Sequence, residues 1–95
     1  MRIPSVLLPL LILLASACGR RATESDCSLI LDRNVEIQMR AMKIYDPAEI
    51  DRQKQQLREA KKDELSPCIG KRITDATVQC VREAESAEAI DACFR

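Results

Sequence analysis

Histidine and tryptophan are absent from this 95-residue chain, and Tyr45 and Phe94 are its only aromatics. Without histidine the commonest general base and metal ligand is missing. Glycine is limited to Gly19 and Gly70, so no glycine-rich loop is present to cradle a phosphate. No two cysteines stand in a C-x-x-C spacing, which argues against thiol oxidoreductases and close-paired zinc sites. Neither sign of charge predominates. Fifteen Lys and Arg balance fifteen Asp and Glu. The two signs are interspersed, which leaves no basic face for nucleic acid and no acidic tail. The serines lack a partner base. Carboxylates such as Asp63-Glu64 and Glu83/Glu85 stand among lysines and arginines in water-facing sequence. Catalysis, cofactors, metals and a small-molecule substrate are therefore not expected.

What is present favours helix. Ala, Glu, Lys, Arg and Gln are plentiful, and no segment alternates like a strand. Ser25 or Asp26 is a good N-cap for a first helix reaching about Tyr45. Cys27, Leu31, Val35, Met42 and Tyr45 form one apolar stripe on it, and Ile30, Ile37, Ala41 and Ile44 a neighbouring one. Asp46-Pro47-Ala48-Glu49 reads as a cap, a first-turn proline and a capping box. A second helix is expected from Pro47 to about Leu65, ended by Ser66-Pro67. Its apolar positions, Ile50, Leu57, Ala60 and Leu65, are sparse. Cys68 to Ile73 reads as a short helical turn. Thr74 or Asp75 begins a third helix to about Ala84, and Ser86 a fourth over Ala87–Phe94. Both are too short to stand alone. The fold class expected is all-α: a small disulfide-stapled bundle, with a long antiparallel helix hairpin followed by a short one.

The N-terminus has a different character. Arg2 precedes an almost unbroken apolar run from Ile3 to Leu14, then the small residues Ala15-Ser16-Ala17 and Cys18. That order is the layout of a signal peptide. The run is shorter than the roughly 20 residues of a spanning helix and contains Pro4 and Pro9. Ala15-Ser16-Ala17 satisfies the small-x-small rule of ordinary secretion. The same residues followed by Cys18 also resemble the lipobox of bacterial lipoprotein precursors. In that family leucine usually stands where this chain has Ala15, and here Leu14 is one place earlier. The resemblance covers residues 2–18 and implies that residues 1–17 are removed and Cys18 carries palmitate-type acyl chains. In that family Asp after the cysteine favours inner-membrane retention, so Gly19 points to the outer membrane. Residues 18–24 would be a lipidated tether and 25–95 a helical domain. Arg20-Arg21 and Lys71-Arg72 stand as isolated basic pairs.

Cysteine parity agrees. Five cysteines occur in the chain, and an exported domain avoids an odd free thiol. Removing Cys18 leaves Cys27, Cys68, Cys80 and Cys93. Cys27 and Cys68 lie at similar distances on either side of Asp46, and Cys80 and Cys93 on either side of Ser86. Antiparallel hairpins would bring each pair together, so Cys27–Cys68 with Cys80–Cys93 is favoured over Cys68–Cys80 with Cys27–Cys93. The remainder has the look of small four-cysteine helical envelope lipoproteins. The functional expectation is an outer-membrane-anchored protein, facing the periplasm, that acts by contact in an accessory, assembly or structural role. Its partners are the membrane, through Cys18, and another envelope protein. The contact surface is expected near Met39, Met42 and Tyr45. A pilotin-like chaperone of a secretion channel and a periplasmic inhibitor or immunity protein are the alternatives.

Overall fold

The computed structural model describes residues 19–95, so the proposed leader and Cys18 lie outside the described residues. The chain runs β1 (Arg20–Arg21), α1 (Glu24–Ala41), α2 (Pro47–Ala60), α3 (Lys62–Cys68), β2 (Arg72–Ile73), α4 (Asp75–Glu83) and α5 (Ala87–Ala92). It is an all-α bundle stapled by two disulfides.

Helix α1 begins earlier than a Ser25 or Asp26 cap implies. Thr23 is the N-cap: its Oγ1 accepts from the Asp26 amide at 3.1 Å, while the Thr23 amide donates to Asp26 Oδ2 at 2.8 Å. Asp26 is thus the third residue of a reciprocal capping box, where two free amides are satisfied at once. The helix also ends sooner, at Ala41. Ile44 donates its amide to the Met39 carbonyl and Lys43 donates to Arg40, both at 2.9 Å. These two bonds form a Schellman turn. Lys43 takes the left-handed φ of 62°, a position usually given to glycine. Hence Met42 and Tyr45 leave the apolar stripe and are 60% and 65% exposed.

Asp46 caps the next helix through the Ala48 amide, with Pro47 in its first turn. The expected reciprocal bond from Glu49 is not made; Glu49 pairs with Arg52. The single helix expected over 47–65 is interrupted at Lys61, and α3 continues through Ser66-Pro67 to Cys68. Pro67 removes one helical amide but does not stop the chain. The Cys68 disulfide and the Ile69 amide on the Leu65 carbonyl hold the last turn.

Two expectations for the ends of this region are corrected. Cys68 to Ile73 is not a helical turn: Gly70, at φ +89°, turns the chain into β2. Residues 19–23 are not a free tether: β1 pairs antiparallel with β2, Arg20 opposite Ile73 and Arg21 opposite Arg72. Two flanking bonds extend the pairing, Ala22 amide to Lys71 carbonyl at 2.6 Å and Gly70 amide to Ala22 carbonyl at 2.8 Å. Ala22 is buried. Two-residue strands are too short to display a period of two, which is why alternation gave no sign of them.

The core lies along one face of α1. Ala22, Cys27, Ile73 and Val78 form one cluster, and Val81, Ala84 and Ile90 a second; Leu29 and Ile30 touch both. Helix α2 contributes no buried residue. Helix α4 is capped by Thr74 and α5 by Ser86, and α5 ends at Ala92 rather than Phe94. Cys27 is bonded to Cys68 (Cα–Cα 6.1 Å) and Cys80 to Cys93 (5.7 Å). These are the pairings favoured by spacing about the two turns.

Candidate functional site

Three places on the described surface gather polar or apolar side chains: the seam between α1 and α2, the tip of that hairpin, and the end where the chain enters the domain.

The seam is charged. Arg58 holds Asp32 through two contacts, one of them Nε to Oδ1 at 2.9 Å. Lys54 donates to Glu36 at 2.7 Å, and Arg33 donates to Glu36 at 2.8 Å and to the Ala84 carbonyl at 2.9 Å. Partial burial pushes the Glu36 carboxyl up, but the bonds from Lys54 and Arg33 outweigh it and the net direction is down. The bond to Asp32 raises Arg58. These pairs border an open hollow of about 710 Å³ that also includes Ser25, Ser28 and Leu29. Most of its charged groups are committed to one another, so the seam acts as a clamp. It holds a helix that has no fully buried residue, although exposed pairs are worth only about 0.2–1 kcal/mol each.

The tip is apolar. Ile44, Tyr45, Pro47 and Ile50 line a hollow of about 310 Å³, bordered by Arg40, Asp51 and Lys54. Met42 and Tyr45 are exposed beside it, whereas Met39 is 4% exposed. The expected contact surface therefore loses Met39 to the core. Helix α1 has 18 residues, so it rises about 27 Å from entry to tip.

The entry end is organised by Arg20. Its guanidinium forks onto both oxygens of Asp26, at 2.6 and 3.1 Å, and reaches Asp75 at 2.8 Å. Asp26 is the one buried charged residue among those described. The Arg20 bond, seconded by the Thr23 amide, holds its carboxyl well below the usual range. Because that folded-state value is depressed, the stabilisation is complete above the unfolded value of about 3.9 and is lost as pH falls through the lower folded one. Asp26→Ala removes the reciprocal half of the capping box and a charge-assisted pair and should cost roughly 2 kcal/mol at neutral pH. Urea midpoints at neutral pH and below pH 4 check this. The variant should be the less stable protein at neutral pH and should lose less on acidification. Equal acid sensitivity would contradict the assignment.

Gly19 sits at the same end with φ +87°, and an added Cβ would lie 2.7 Å from the Ile73 carbonyl oxygen. The fold itself therefore requires glycine beside Cys18. The Thr23-x-x-Asp26 spacing was a readable sign of the capping box. The bridge from Arg20 to Asp75 had none, because those residues meet only through the β1–β2 pairing.

Among the described residues no cluster of acidic or cysteine side chains is placed to hold a metal ion, and no helix is long and apolar enough to cross a membrane. No protein-family model matches the chain, and no significant match occurs to a curated protein or a solved structure.

Proposed function

We propose that this chain is the precursor of a bacterial lipoprotein whose mature domain, anchored at Cys18, works by protein contact in the cell envelope. One observation carries the reading. All four cysteines of the described domain are joined in two disulfides, so Cys18 is the single thiol left over in the sequence. It directly precedes the packed entry strand and follows an apolar leader with small residues at its end. An oxidising compartment suits the two bonds.

Anchoring at one end makes the opposite end the natural contact surface. The α1–α2 tip offers the exposed Met42 and Tyr45 beside the hollow lined by half-buried Ile44 and Ile50. Outer-membrane sorting remains part of the proposal through Gly19. The steric need for glycine there is a second and independent reason for that residue, so the sorting inference rests on it only in part.

A photo-crosslinking residue at Tyr45 in intact cells should give one adduct of defined mass in the envelope fraction. The same residue at Gln55, exposed on α2, should not. Adducts of identical pattern from both positions would count against the tip as the contact surface.

A further inference from the structure

The two basic pairs that stand far apart in sequence are brought together by the smallest element of the fold. Arg21 and Arg72 are direct cross-strand partners. Partners in an antiparallel pair project to the same side of the ribbon. The other pair, Arg20 and Ile73, faces the domain: Ile73 is buried and Arg20 is held by Asp26 and Asp75. Arg21 and Arg72 therefore face outward, and both are exposed.

Like charges placed opposite each other destabilise a strand pair, and nothing within the described domain offsets these. Arg21, Lys71 and Arg72 form no ion pair among the described residues. Their one side-chain hydrogen bond is a long one, Arg72 Nη1 donating to the Gly19 carbonyl at 3.5 Å. Asp26 and Asp75, at the starts of α1 and α4, are both taken by Arg20, and Glu24 in the first turn of α1 makes no ion pair with these cations among the described residues. Two apolar side chains flank the cations. Ile69, 45% exposed, precedes Gly70-Lys71, and Phe94, 52% exposed, shares a surface hollow of about 220 Å³ with Arg72.

The position of this face decides its partner. It surrounds Gly19, and Cys18 is one residue, about 3.8 Å of chain, beyond. From Gly19 on, the entry segment is fixed by β pairing and by the close approach of Gly19 to Ile73. We propose that the outer face of the β1–β2 ribbon, Arg21 and Arg72, with the exposed Lys71 at its edge and Ile69 and Phe94 at its margin, docks on anionic phospholipid headgroups of the leaflet that holds the anchor. This rests on the lipoprotein reading for its location. Phosphate groups supply the missing counter-charge to Arg21 and Arg72, and guanidinium forks match phosphate oxygens. The contact sets the domain's orientation and directs the hairpin tip away from the membrane.

The test uses the full chain carrying Cys18→Ser, exported and purified, so that no acyl chain contributes. Its co-sedimentation with vesicles of phosphatidylcholine containing about 30% phosphatidylglycerol should exceed that with pure phosphatidylcholine, and should fall between about 0.05 and 0.5 M salt. Replacing Arg21, Lys71 and Arg72 together by glutamine should lower partitioning on the order of 100-fold, from roughly fivefold per cation. Replacing Arg40, Lys43 and Arg52, exposed towards the hairpin tip, the same change in net charge, should leave it within about twofold. If the ribbon variant misfolds, Arg21→Glu, whose side chain makes no hydrogen bond in the domain, provides the same reading. Equal loss in the two triple variants, or no preference for the anionic vesicles, would overturn the proposal. Acyl labelling of the wild-type chain is measured separately, so a failed ribbon and a failed anchor give different results.

Discussion

Full reduction of the domain is expected to unfold it. In the chain-entropy account a bond spanning 41 residues (Cys27–Cys68) contributes about 4 kcal/mol, and one spanning 13 (Cys80–Cys93) about 3 kcal/mol. Their sum is comparable with the entire stability of a small domain, roughly 5–15 kcal/mol. The core is too thin to compensate. Its buried apolar residues are mostly small, Ala22, Val35, Val78, Val81 and Ala84 among them. Helices α4 and α5, of 9 and 6 residues, are below the length at which helices persist unaided.

The two bonds should differ in character. Cys27–Cys68 joins the start of α1 to the end of α3, and the α2–α3 arm it retains has no buried residue. Without it that arm is held by the half-buried Leu65 on the core and by the Arg58–Asp32 and Lys54–Glu36 pairs, which salt weakens. Cys27→Ser/Cys68→Ser should therefore lose about 4 kcal/mol and become salt-sensitive. Cys80→Ser/Cys93→Ser should lose about 3 kcal/mol with little added salt dependence. Urea titrations followed by far-ultraviolet circular dichroism, with and without a reductant, measure both. A reduced protein that keeps its helical signal and its unfolding midpoint would contradict this assignment of stability.

The parts legible in the sequence were those written in local chemistry. Asp46-Pro47, Thr74 and Ser86 mark helix starts because capping is decided within a few residues. The disulfides followed from the same information, since turns placed near Asp46 and Ser86 put the cysteines opposite each other. The ends of α1 were less legible. Thr23 competed with two better-placed caps, and Lys43 adopts a conformation for which a lysine gives no signal. The break at Lys61 has no local sequence signal, and the helix through Pro67 ends at the Cys68 bond, which ties its last turn to α1.

The entry segment was the largest difference. Gly19 to Thr23 read as a tether because its residues are small or charged. Their burial depends on residues 70–75, which reach them only after the α1–α3 excursion has returned. The same return makes one basic face out of two dibasic pairs and gives Arg20 its second acidic partner. No window of sequence contains both halves. The polar seam was similarly hidden, since Arg58 and Asp32 are 26 residues apart and each alone resembles a solvated helix charge.

Replacing Cys18 with serine is expected to release the protein from the membrane. Acyl chains contribute about 0.8 kcal/mol per buried methylene, so the several chains of a lipoprotein cysteine anchor far more firmly than any surface contact. The ribbon cations alone leave only a salt-labile association. The substitution leaves Cys27, Cys68, Cys80 and Cys93 in place, so both disulfides and the helical signal should persist. The decisive measurement is metabolic labelling with palmitate, followed by fractionation of salt-washed membranes, in cells producing the wild-type chain or Cys18→Ser. Label and membrane recovery in the wild-type chain, with loss of both in the variant, is the result predicted. A variant that stays in the washed membranes, or a wild-type chain that takes up no label, would contradict anchoring at Cys18.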